Sequence, residues 1–175
     1  MKVSLGWIFA LTIIPPSLLG FSSQLKNDTN CLGTIILHNG EKIDVAQIQI
    51  GKRSPWSVYS VPAEGKAVAL TGGKTEVLLD NDPRDSEVLF AITQIKTMQV
   101  PNPHKIFIYK EGDKGMPYKY LEVIVNGDRY LAPRDTNVDA TQTSNNASRR
   151  VKLHGLKEFA IRECAVLEVP EKTEK

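Results

Sequence analysis

The chain has 175 residues, 22 Lys and Arg against 20 Asp and Glu, and a formal net charge of +2 at pH 7. That length suffices for one domain, or two very small ones, around a continuous core. The near-neutral balance, with no long cationic run, excludes a nucleic-acid binder that tracks phosphates.

The first residues, "MKVSLGWIFALTIIPPSLLGFSS", place one cation at Lys2, an uncharged apolar run from Leu5 to Leu19, and then Gly20 and Ser22. This three-part layout is that of a signal peptide over residues 1–22, with the cut expected after Ser22. Pro15 and Pro16 interrupt the run short of the roughly 20 apolar residues that a spanning helix needs, so no transmembrane span is expected after leader removal. The expected location is secreted or periplasmic. Cys31 and Cys164 are the two cysteines, one near each end of the exported chain. In an oxidising compartment such a pair reads as one disulfide between terminal strands, which removes both thiols as nucleophiles.

Residues 23–33 form an N-terminal segment, and a first β unit is expected over 34–103. It opens with a hairpin, Thr34 to Leu37 against Lys42 to Ile50, turned by Asn39-Gly40 in a type I′ geometry. Ile43 and Val45 alternate, then Ile48 and Ile50 do so after a one-residue shift, which predicts a bulge near Ala46-Gln47. "WSVYSVPAE", "KAVALTGG" and "KTEVLLDN", punctuated by glycines, read as a meander of tight hairpins. After the polar turn "DNDPRDS", Val88, Phe90 and Ile92 alternate; the spacing of three at Ile92, Ile95 and Met98 then predicts a 3₁₀ turn before a last strand.

A second β unit is expected over 104–169, and a disordered charged tail over 170–175. In "KIFIYKEGDKGMPYKYLEVIV" a hairpin turns at Glu111 to Gly115, with Ile106 and Ile108 on one face and Phe107 and Tyr109 on the other, so this ribbon is expected to be covered on both sides. Asn126-Gly127 turns the next hairpin into "RYLAP". From Arg134 to Ser148 only Val138 is sizeable and apolar, which predicts an exposed, mobile loop. Closing the unit, Leu153, Leu156 and Phe159 echo the spacing of Leu89, Ile92 and Ile95.

Each half thus reads hairpin, insert, apolar triplet, terminal strand. That order resembles the small Sm-like or SH3-like barrels, in which a short 3₁₀ turn precedes the closing strand. The expected fold class is all-β, a small barrel or sandwich, either as two tandem units of this kind or as one fused body.

Three groups of residues invite a functional reading. Asp80, Asp82 and Asp85 share one loop and offer oxygens for a calcium ion, but the EF-hand spacing is not met and an acidic β-turn around Pro83 accounts for them. Trp56 and Tyr59, close to Lys52 and Arg53, form a candidate recognition surface for a protein or glycan, although Trp56 shares a strand face with Val58 and reads as a core anchor. Asn27 and Asn146 head Asn-x-Ser/Thr glycosylation sequons. His38, His104 and His154 are scattered, and neither a phosphate-cradling loop nor a nucleophile motif is present. The expectation is a non-enzymatic binding module for a protein or cell-envelope component, without a cofactor. The alternatives are a small hydrolytic enzyme and a structural subunit that pairs by strand addition.

Overall fold

The computed structural model describes residues 29–62, 66–69, 73–112 and 115–166. The leader and its cut, Asn27 and the tail at 170–175 lie outside the described residues. The chain is all-β, with the strands β1 (Thr29–Leu37), β2 (Lys42–Ile50), β3 (Trp56–Ser60), β4 (Ala67–Ala69), β5 (Thr75–Leu78), β6 (Glu87–Phe90) and β7 (Thr97–Gln99) in its first part. There follow β8 (Lys105–Tyr109), β9 (Tyr118–Val125), β10 (Asp128–Pro133), β11 (Asn137–Gln142), β12 (Ser148–Lys152) and β13 (Leu156–Val166). Short 3₁₀ turns occupy Pro83–Ser86, Ile92–Gln94 and Leu153–Gly155. Among the described residues no helix is long and apolar enough to cross a membrane.

Local chemistry explains most of these elements. In β2 the inward residues are Ile43, Val45, Ile48 and Ile50, and the change of phase falls at Gln47, which adopts φ 52°. The register between β2 and β11 skips at the same place, so the expected bulge is present. The two Asn-Gly turns differ. Asn126 (φ 53°) and Gly127 (φ 100°) form the two-residue type I′ turn, with Asp128 opposite Val125. The first hairpin instead uses the loop His38–Gly40, in which Gly40 donates to the Leu37 carbonyl at 3.0 Å and takes φ 89°. Asn39 accepts from the Glu41 amide through its side chain, at 2.9 Å, without a positive φ of its own. That geometry belongs to the longer hairpin loop with glycine in the left-handed position, and it corrects the expected type I′ turn.

Asn126 also ties distant chain together. Its Oδ1 accepts from the amides of Lys96 (2.7 Å) and Thr97 (3.1 Å), and its Nδ2 donates to the Gln94 carbonyl (2.8 Å). Asn126→Ala is expected to lower the unfolding free energy by about 1–2 kcal/mol in urea titrations, from lost hydrogen bonds and an unfavourable left-handed alanine. Asn126→Gly also loses the side-chain bonds but relieves the backbone strain, so it should lose less than Asn126→Ala; a glycine variant as stable as the native protein would show that the side-chain bonds contribute nothing.

The strands follow one path, β12-β11-β2-β1-β13-β7-β9-β10-β3-β6, with β5 joined parallel to β8, β8 to β9, and β4 to β5. The path is open at β12 and β6, so the barrel expected from the sequence does not close. The two expected tandem units are not consecutive either. On one side of the β13–β7 junction, the β1–β2 hairpin from the first half is completed by β11, β12 and β13 from the second. On the other side, the β9–β10 hairpin is completed by β3, β6 and β7 from the first half. The halves have exchanged hairpins. Each arm of the sheet still reads hairpin, two strands, 3₁₀ turn, closing strand.

Three further expectations change. β3 pairs with β10 and β6 rather than with β4, so only β4 and β5 remain of the expected meander. The segment 134–148 contains the strand β11, bonded on one side to β2 and on the other to β12, with Val138 and Ala140 buried, and only the exposed turn after Gln142 is loop as expected. The matching apolar triplet in the first half is Ile92, Ile95 and Met98, because Leu89 points to solvent at 53% exposure.

Val45, Val58, Ile95, Met98, Val123 and Phe159 are central to the main core. A second cluster of Val77, Leu79, Phe107, Tyr120 and Leu131 lies against Tyr59, Val61 and Tyr109. β8 contributes Ile106 and Ile108 to the first cluster and Phe107 to the second, the two-sided cover expected of it. Cys31 faces Cys164 in the register of β1 and β13, and the two form a disulfide with S–S 2.07 Å.

Candidate binding cleft

The chain leaves β10 at Pro133 and crosses from one arm of the sheet to the other through Arg134, Asp135 and Thr136. Three backbone bonds fix this crossing: the amide of Arg134 donates to the Lys119 carbonyl (2.9 Å), that of Thr136 to Pro133 (3.0 Å), and that of Leu153 to Thr136 (2.9 Å). The crossing forms one wall of an open cleft of about 740 Å³. Tyr118, Lys119 and Tyr120 of β9, Tyr59 of β3 and Arg84 also line it, as do Asn137, Lys152 and His154. Met116, 89% exposed, stands among the lining residues together with Pro117.

The aromatic side is held rigidly. Tyr59 and Tyr120 meet edge to face with ring centroids 5.6 Å apart. The Arg84 guanidinium lies 4.3 Å from the centre of the Tyr118 ring, and the Tyr118 hydroxyl donates to Glu111 Oε2 at 3.2 Å. Arg84 is anchored by Asp82, whose carboxylate caps the 3₁₀ turn by accepting from the Arg84 amide (2.9 Å) and also accepts from its Nε and Nη2. Glu111 adds a 3.5 Å ion pair. The hydrogen bond from Arg84 holds the Asp82 carboxyl below its ordinary pKa, and Arg84 is correspondingly raised. Burial, with the Asp82 charge adding to it, pushes the Tyr120 hydroxyl up to about 12. Burial and then Glu87 raise Tyr59. Both tyrosines are therefore neutral, with apolar ring faces, throughout the physiological range.

The other side is cationic. Arg134 and Lys152 line it beside the His154 imidazole, with Asp135 as its acid. Partial burial, then the charges of Arg134 and Lys152, hold the His154 imidazole below its ordinary pKa. The Nε of Arg134 is buried and has no hydrogen-bond partner among the described residues.

Of the residues singled out in the sequence, Tyr59 lines the cleft. Trp56 does not reach the surface: it is 5% exposed, packed in the main core with Gly51 against its ring, so its part in a recognition surface is corrected to that of a core anchor. Arg53 is exposed in the bend between β2 and β3, away from the cleft lining. Asp82 is committed to Arg84, while Asp80 and Asp85 are exposed. Among the described residues no group of three or more His, Cys, Asp or Glu could hold a metal ion. Asn146 is exposed in the turn between β11 and β12, at φ 56°.

Arg84, Tyr118, Tyr120, Arg134, Lys152 and His154 escaped the sequence reading. One signal was available: in "YKY" Tyr118 and Tyr120 stand two apart, which in a strand puts both rings on one face. The charged residues gave none, since they come from segments far apart in the chain. No family model, no curated protein and no solved structure matches this chain, so the cleft is read on its own geometry.

Proposed function

We propose that the protein is an exported, non-enzymatic binding module, and that the cleft between β9 and the β10–β11 crossing receives a segment of a protein or of a cell-envelope component. The observation that carries this reading is the cleft itself: tyrosine rings held by fixed contacts share one lining with the cations Arg134 and Lys152, a preorganised mixture of aromatic anchors and charge. The Cys31–Cys164 disulfide supports an oxidising location. The hydrolytic alternative receives less support, because the lining offers the single carboxylate Asp135 and no Ser, Thr or Cys hydroxyl or thiol beside His154. Strand addition is supported at the open edge β6, where Leu89 is exposed, more than at β12, whose Arg149 and Arg150 are paired with Glu41 and Asp139.

The test is capture of a partner from the native compartment by the mature, oxidised protein. Tyr59→Ala and Tyr118→Ala are expected to weaken capture about tenfold or more. Arg53→Ala, exposed outside the cleft, should leave it unchanged. Capture retained by both tyrosine variants, with the fold intact, would overturn the choice of this surface.

A further inference from the structure

Most arginines outside the cleft, and the one on its aromatic side, find carboxylates, while the exposed Arg53 takes none among the described residues. Arg84 takes Asp82 and Glu111, Arg149 takes Glu41, Arg150 takes Asp139, and Arg162 takes Asp44 at 3.2 Å. The crossing wall is different. Arg134 and Lys152 have no ion-pair partner among the described residues, and the buried Nε of Arg134 donates to nothing there; the Nε of Arg149 is in the same state, but its Nη2 is paired with Glu41. Lys152 lies directly opposite Asn137 in the β11–β12 register, and His154 follows two residues later in the 3₁₀ turn. Two segments thus bring an arginine, a lysine and a histidine into the lining of one cleft. A buried donor without an acceptor is costly unless something supplies one, and a guanidinium fork beside a lysine suits an oxyanion.

We infer that the cleft seats an anionic group of its ligand, a carboxylate or a phosphate, at Arg134, Lys152 and His154. The neighbouring part of the ligand lies against the rings of Tyr118 and Tyr120. This rests on the reading of the cleft as a binding site and specifies its chemistry: of an incoming segment, the acidic group goes to the crossing wall and the apolar group to β9. Arg84 is already neutralised by Asp82 and Glu111, so it orders the tyrosine side and does not compete for the anion.

The experiment uses the mature oxidised protein with isotope-labelled histidine, titrated at constant ionic strength with inorganic phosphate and, separately, with acetate, against a chloride control. His154 is expected to shift saturably with at least one of the two, and the stronger arm identifies the anion. Arg134→Gln and Lys152→Gln should each weaken that response about tenfold, while Arg150→Gln, whose charge is already paired, should not. A His154 response to neither anion beyond chloride overturns the inference, as does an unchanged response in the Arg134→Gln/Lys152→Gln double variant. The two readings fail separately. Lost capture in the tyrosine variants with no anion response removes only the anion seat; a saturable anion response with capture intact in those variants removes the cleft as the partner's surface.

Discussion

Replacement of Cys31 and Cys164 by serine is expected to lower the unfolding free energy by about 3–5 kcal/mol. The two residues are 133 apart in sequence, and closing so long a loop in the unfolded chain removes much of its freedom. The folded state gives the bond a natural position, since Cys31 and Cys164 are register partners near the open end of the β1–β13 ladder, two steps from Thr29 opposite Val166. Denaturant titrations of the oxidised protein, the reduced protein and the double serine variant measure the effect. A loss below about 1 kcal/mol would show that the unfolded chain is already confined without the bond. Intact masses before and after alkylation without reductant should agree, and uptake of two alkyl groups would refute the disulfide.

Phe159→Ala is expected to cost about 3–5 kcal/mol. Phe159 is fully buried and faces Met98, itself fully buried, where β13 meets β7. That short ladder, Glu158 to Ala160 against Gln99 to Thr97, joins the two arms of the sheet along its main path. A cavity there removes contacts that neither arm replaces. Leu89→Ala, at an exposed position of the same apolar type, should stay within about 0.5 kcal/mol. Equal losses for the two would mean that burial is not what distinguishes them. Urea unfolding followed by both tryptophan fluorescence and circular dichroism also shows whether the arms separate before they unfold.

What was legible in the sequence was local. Asn-Gly marked both reversals, the phase change at Ala46-Gln47 marked the bulge, and the spacing of three marked the 3₁₀ turns. Each follows from a rule that operates over a few residues. The exchange of hairpins was not legible, because a strand with alternating Ile43 and Val45 needs an apolar face opposite it and carries no mark of which half supplies that face. β11 read as a loop for a related reason. It buries only Val138 and Ala140, and most of what makes it a strand is backbone pairing to β2 and β12 on its two sides. The triplet in the first half was read one step too early because Leu89 is as apolar as Leu153, although only Leu153 turns inward. At the site, Tyr59 was found through its aromatic character. Arg134 was read as the start of a polar loop, since its lack of an acid partner is a property of the folded arrangement.

The exchanged hairpins also set an order of events. Among the described residues the β1–β2 hairpin comes first in the chain, yet the strands that flank it, β11 and β13, come late in the sequence. Folding rates fall as contacting residues lie further apart along the chain, so completion of the sheet should be slow, on the order of milliseconds to seconds. A chain emerging from its N-terminus would present both edges of that hairpin unpaired until β11 to β13 arrive, an interval in which pairing with a neighbouring chain competes with its own. Synthesis and completion run in opposite directions: the hairpin made first is among the last to be enclosed.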